Sequence, residues 1–302
     1  VPRAVCASRA ALCMAFEAEP AEPAGLLVLS QEEACALRPL RGEAAGGPKV
    51  VEGRFCVDMG LRELQVLTVV REGIVDPGAA LEGLDGADAH VCVTWAELDE
   101  ICAAKKDAAW ECEPGYAPAP VEIFSEETKR HAKLLPVAGG CPTAVLAGFN
   151  MHRMKDTDPV RDTAEKVRAL GTPSGQVLDV CTGLGYTAIS LARCAAVQGV
   201  TTIELDDGMV EMQRRNPWSA ELFTSPKVSR LKGDATTVLP TLPDGFFSAV
   251  VHDPPVQAIA GDLYGQRFYD QLFRVLRPAG RVFHYIGDPD SRASGQLFGG
   301  VS

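Results

Sequence analysis

Four carboxylates stand where a chain could use them. Asp179 lies in VLDVCTGLGYTAISLA, just ahead of a turn carrying Gly183 and Gly185; Glu204 closes TTIE, Asp234 closes LKGD, and Asp253 sits between His252 and a Pro254-Pro255 pair. Each acid ends a run of apolar residues that reads as a buried strand. A glycine turn between strand and helix offers backbone N–H groups and the positive end of the helix to a ligand. Gly183, Gly185 and Ala188 satisfy G-x-G-x-x-G/A, the spacing of a dinucleotide turn. A carboxylate at the mouth of that turn repels a pyrophosphate and attracts a cation.

S-adenosylmethionine fits such a turn, because it carries a sulfonium and an ammonium and no phosphate. Glu204 is placed to accept from ribose hydroxyls, a role a nicotinamide cofactor would share. Asp234 is placed to accept from an adenine amino group and, equally, to cap the ATTVL helix. The two prolines after Asp253 stop the strand and hold a polar group at its tip toward a cleft.

These residues need a scaffold, and the sequence provides one. Asp158 and Pro159 read as N-cap and first residue of the helix PVRDTAEKVRAL, which Gly171 stops. From there strands and helices alternate: VLDV, TAISLARCAA, VTTIEL, DGMVEMQRRN, VSRLKG, ATTVL, FSAVVHD, YGQRFYDQLFRVL, RVFHYIG. Alternation with apolar strands predicts an α/β fold: a Rossmann-like, doubly wound, mostly parallel sheet covered on both faces. Ligands in such sheets bind beyond the carboxyl ends of the strands, where all four acids fall. Only fifteen residues follow Gly287, so the C-terminal edge strands of the complete fold are expected to be missing.

DVCTGLGYT, IELDD, KGDA and HDPP, in this order, resemble the motifs of class I S-adenosylmethionine-dependent methyltransferases. FSEETKRHAKLLP, MHRMKDTDP, RRNPWSAELF and FYDQLFRVLRPAGRVFHY narrow the resemblance to a little-characterised methyltransferase family predicted mainly from archaeal sequences; it covers about residues 54–295. The resemblance implies that Asp179, Thr182, Gly183 and Gly185 line the methionine part of S-adenosylmethionine, Glu204 the ribose and Asp234 the adenine. It places His252 and Asp253 against the transferred methyl. Cys181 departs from the class pattern, standing where the first glycine is usual.

Methyl transfer needs an aligned nucleophile and, where necessary, a proton acceptor. Asp253 is the first choice for that role and His252 the second. His284 and Tyr285 are candidates for the pocket wall or for packing, and Arg153 or Lys155 for a lid that meets a carboxylate. Enzymes that methylate planar amino groups follow the proline pair with an aromatic residue; here Val256 stands there, which argues against a nucleobase acceptor. Three alternatives stay open: a catalytically silent structural subunit of a larger assembly, a nicotinamide-dependent oxidoreductase disfavoured by Asp179, and a polyamine synthase whose glycine-rich first motif is not reproduced.

Ahead of this domain, 53–150 holds short β-type runs (FCVDMG, LQVLTVV, HVCVTW, VEIF, KLLPV) and a helical AELDEICAAKK, and reads as a small β-rich domain. Residues 1–52, rich in Ala, Glu, Pro and Gly, read as a flexible segment; 151–302 is the large domain. The first sixteen residues carry two arginines and no acid, a pattern shared with organellar transit peptides, so a chloroplast or other organelle is one expected destination. The formal charge of −11 belongs mainly to the middle, where 53–150 carry 8 basic and 16 acidic residues. That leaves no basic face for nucleic acid and makes the acidic β domain a candidate surface for a protein partner. The acceptor is expected to be a small molecule or a protein. Ten cysteines, none at C-x-x-C spacing, signal no metal site and read as thiols of a soluble intracellular protein; no apolar run spans a bilayer.

Overall fold

Ser30-Gln31-Glu32-Glu33 is a capping box: Ser30 accepts from the Glu33 amide, and the Glu33 carboxylate accepts from the Ser30 amide at 2.8 Å. It joins strand β1 (Leu27–Leu29) to helix α1 (Gln31–Leu37) at the start of the computed structural model, which describes residues 26–75, 91–138, 140–255 and 257–286. Strands β2 (Lys49–Val57), β3 (Arg62–Val69), β4 (Gly73–Val75) and β5 (Val91–Thr94) follow as one antiparallel sheet. Helix α2 (Trp95–Ala103) begins with a second capping box, Thr94 with Glu97. β6 (Trp110–Cys112) and β7 (Ala119–Pro120) join β1 in the order β1-β6-β7. β8 (Glu122–Ser125), β9 (Arg130–Val137), β10 (Gly140–Leu146) and β11 (Phe149–Asn150) form a third sheet, order β11-β10-β9-β8.

This β-rich unit comprises described residues up to 160 and also 211–218. Its core includes Leu29, Leu37, Leu67, Trp95, Leu98 and Ile101. The flexible reading of residues 1–52 is corrected over 26–52. Leu27, Leu29, Ala34, Leu37 and Ala44 are buried in that core, and Glu33 also accepts from the amides of Met59 and Gly60. A three-residue strand and a seven-residue helix are too short to show a period, so composition prevailed in the sequence reading. Residues 1–25, with the transit-like stretch, lie outside the described residues.

The second unit opens with α3 (Pro159–Ala169), at the position the Asp-Pro pair predicts. Then come β12 (Gly175–Val180), α4 (Tyr186–Arg193), β13 (Val197–Glu204), α5 (Asp207–Arg214), α6 (Glu221–Thr224), β14 (Val228–Lys232), α7 (Ala235–Val238), β15 (Phe247–His252), α8 (Gln257–Ala260), α9 (Gln266–Val275) and β16 (Leu276–His284). The strands pair in parallel in the order β14-β13-β12-β15-β16. Successive residues feed opposite layers: Leu178, Val180 and Val250 pack with Leu272 of α9, whereas Val177, Ala249 and Val251 pack with Ala188 and Leu191 of α4. This is the expected Rossmann-like α/β sheet, accompanied by a separate β-rich unit. The chain reverses its direction of travel across the sheet between β12 and β15, so the switch-point crevice lies at their carboxyl ends. The expected loss of edge strands concerns residues 287–302, outside the described residues. Among the described residues, no helix is long and apolar enough to cross a membrane.

Candidate functional site

The glycine turn after β12 is fixed by its backbone. Cys181, Gly183 and Gly185 all have left-handed φ, 66°, 56° and 82°. Only glycine adopts that region without steric cost, which explains why the usual motif has glycine at the position of Cys181. At Gly185 two constraints coincide, since a Cβ there would stand 2.1 Å from Leu222 Cδ1. Gly185 is also the N-cap of α4, and Ser219 Oγ donates to the Leu184 carbonyl at 2.7 Å, tying down the turn.

Asp179 sits opposite Thr202 of β13 and Val251 of β15, and is buried. Thr202 Oγ1 donates to Asp179 Oδ2 at 2.8 Å; since that proton is committed, Thr182 Oγ1 donates to Thr202 Oγ1 at 2.7 Å. Thr182 thus supports Asp179 through a relay of hydroxyls. Burial pushes the Asp179 carboxyl up to about 7; the Thr202 bond opposes this, and the charge of Asp253 reinforces it. Glu204, at the end of β13, accepts from the amide of Gly183 at 2.9 Å and from that of Asp206 at 3.0 Å. Its carboxyl is likewise pushed up to about 7 by burial, against those two bonds. Asp234 is exposed and caps α7, accepting from the amide and the hydroxyl of Thr236, each at 2.7 Å.

Asp253 follows β15 and accepts from Lys166 Nζ at 2.5 Å. Lys166 comes from α3, where it is also 2.7 Å from Asp162 Oδ2; its side chain is 6% exposed and that of Asp162 not at all. Burial alone would lower the lysine pKa, but the two carboxylates outweigh it and raise it, so Lys166 is a cation. Sequence reading missed this pair. The available signal was Asp162 and Lys166 at i, i+4 in PVRDTAEKVRAL, and the helix was scored there for its ends only.

His252 is corrected. Its side chain is fully buried on the α9 side of the sheet, with Nε2 donating to the Leu263 carbonyl at 2.9 Å. Its ring lies 4.4 Å from that of His284 and 5.1 Å from that of Phe268. Burial, then the neighbouring imidazole, lowers its pKa to about 3, and burial lowers that of His284 to about 4. Strand alternation puts His252 on the core side while Asp253, one residue on, turns to Lys166. His252 is therefore a neutral packing residue and not a proton acceptor, and His284 packs with it. The Tyr285 ring lies 5.6 Å from Lys166 Nζ.

The 151–158 segment belongs to the β-rich unit. His152 is buried there with its Nδ1 2.9 Å from Thr143 Oγ1, and Arg153 and Lys155 are exposed. Val256 lies outside the described residues. A groove lined by Ala164, Gly171, Ser190 and Cys194 lies at the opposite, amino ends of the strands, away from the acids. Among the described residues, no group of three or more His, Cys, Asp or Glu could hold a metal ion.

The sheet order and the switch-point acids define a class before any comparison with known proteins, and the comparisons agree. Residues 177–280 match the methyltransferase domain family. The matched stretch holds the glycine turn and all four acids, so this part of the chain is similar to a methyltransferase domain. The narrower resemblance to archaeal sequences is met by the uncharacterized protein MJ1233 of Methanocaldococcus jannaschii, 42% identical over 178 residues, which are 58% of this chain and 60% of that protein. Polyamine aminopropyltransferase 2 of Streptomyces coelicolor is 32% identical over 41% of this chain and 24% of its own length. Putrescine N-methyltransferase 4 of Nicotiana tabacum is 28% identical over 35% of this chain and 28% of its own. The chain thus spans 60% or less of the length of these relatives.

Proposed function

We propose that this protein is an S-adenosylmethionine-dependent methyltransferase acting on a small-molecule amine. The observation that carries the reading is the acid cluster at the switch point. Asp179 and Glu204 are held near pKa 7 by burial, so a cation is the ligand that relieves them. A dinucleotide would bring negative charge to the same place. The residues present therefore fit the cofactor.

In this reading Asp179 holds the ammonium of the methionyl group, Glu204 exchanges its turn amides for ribose hydroxyls, and Asp234 accepts from adenine. The bound cofactor supplies an electrophilic methyl on sulfur. Asp253, fixed by its bond to Lys166, accepts an N–H of the acceptor and sets its lone pair in line. The amine class is supported by this negative charge and by the two relatives named for polyamines and putrescine.

Calorimetric titration of the protein with S-adenosylmethionine, S-adenosylhomocysteine and NAD separates the classes, followed by transfer of labelled methyl to a panel of di- and polyamines. Micromolar binding of the first two and label on an amine is the expected result. Binding of NAD alone would overturn the reading. No binding of any would favour the silent subunit, and preference for decarboxylated S-adenosylmethionine would favour aminopropyl transfer.

A further inference from the structure

We infer that Cys35 and Cys102 are an oxidation site: they join in an intramolecular disulfide that clamps α1 to α2, independently of the methyltransferase chemistry. The two Sγ atoms stand 2.6 Å apart, inside the 3.5–4 Å or so at which even carbon atoms settle without a bond. The approach is built by the helices on either side. Gln31 Nε2 donates to the carbonyls of Ile101, Cys102 and Ala104 at 3.1, 3.0 and 2.8 Å, occupying the open C-terminal end of α2. Cys35 lies one turn further along the same face of α1 and meets Cys102. Beyond it Arg38 and Arg41 approach Asp99, one turn back on α2, at 3.8 and 3.3 Å. Ala34, Leu37, Leu98 and Ile101 are buried behind this row, so the helix backbones that carry the two cysteines are held together by packing.

Access and chemistry agree with the geometry. Cys35 is exposed and Cys102 half-buried, whereas Cys92, Cys112 and Cys141 are buried and closed to reagents. Burial pushes the Cys102 thiol up to about 11, so it is a poor first nucleophile at neutral pH. Cys35 attacks a small-molecule disulfide such as glutathione disulfide, forming a mixed disulfide and releasing one thiol. Cys102 then gives up its proton and attacks the Cys35 sulfur, releasing the second thiol. Two protein thiols are oxidised and one external disulfide is reduced.

The full-length protein, reduced and then equilibrated with excess glutathione disulfide, should lose two hydrogens at Cys35 and Cys102, apart from any glutathione carried on the exposed Cys56. Tryptic mapping without reductant should join the peptide ending at Arg41, since Pro39 blocks cleavage after Arg38, to the one ending at Lys105, and fragmentation should place the link at Cys35 and Cys102 and not at Cys13 or Cys92. Cys102→Ser should instead retain glutathione at Cys35. The link closes a long loop, and the oxidised protein should melt on the order of 5–10 °C above the reduced one. If the wild-type protein keeps Cys35 and Cys102 as separate thiols, carries glutathione on Cys35, or links either to another cysteine, the assignment is wrong.

Discussion

Asp179→Asn should stabilise the ligand-free fold at alkaline pH and remove its hold on the cofactor. The carboxyl titrates near 7 in the folded protein, against 3.8 for a free aspartate, because it is buried between β13 and β15. A folded value above the unfolded one means that the native state favours the proton. The associated stability is present below about pH 4 and is lost as the pH rises through 7. The full difference corresponds to at most roughly 4 kcal/mol, and about 2 kcal/mol is expected after the site relaxes. Asparagine fills the same volume, still accepts from Thr202 Oγ1 and carries no charge. Melting curves at pH 8 should therefore show a gain of about 4–8 °C over wild type, shrinking toward zero at pH 4. Calorimetry at pH 8 should show S-adenosylmethionine binding weakened at least about tenfold, or about 1.4 kcal/mol. Equal melting shifts at both pH values would mean that the carboxyl is not buried as a charge. An unchanged affinity would refute the placement of the ammonium at Asp179.

Wild-type affinity for S-adenosylmethionine should itself fall about tenfold between pH 8 and pH 6, as Asp179, the partner of the ammonium, takes up a proton; calorimetry in matched buffers reads this, and a flat profile counts against a cation at the site. Lys166→Met leaves Asp162 and Asp253 without their shared cation and should cost about 3–5 kcal/mol in urea unfolding, with Asp162→Asn in the same chain recovering part of it. Cys181→Gly removes a left-handed non-glycine residue and should gain about 1 kcal/mol by the same assay, with cofactor affinity retained. Gly185→Ala should lose at least about 2 kcal/mol, and Leu222→Ala should restore only part, since it clears the contact but leaves φ at 82°.

The parallel sheet was legible because its central strands are largely apolar and its helices follow at short, regular intervals. The glycine turn and the acids after β12, β13, β14 and β15 could be placed for the same reason: strand ends are where the alternation breaks. What escaped was decided by tertiary packing. The 26–52 segment looked like linker because its strand and helix are too short to show a period, though one capping box, Ser30 with Glu33, was present to be read. His252 looked available because it precedes Asp253, yet a strand sends neighbours to opposite faces and only one of the two can reach the crevice. Lys166 was invisible as a site residue because its partner is 87 positions away.

Lys166 also decides what kind of group Asp253 is. A carboxylate that must swing to take a proton needs room to move; Asp253 instead accepts from buried Lys166 at 2.5 Å. Such pairing fixes the direction in which its oxygens point. An amine acceptor reaches its reactive form by losing one proton before transfer, and water or buffer can take that proton outside the site. Under the proposed amine reading, the task left to the protein is then to orient a neutral nitrogen through one N–H and to keep the carboxylate from turning. A buried Lys166, braced by Asp162 on its own helix, does the second, so the pair is better suited to alignment than to proton removal.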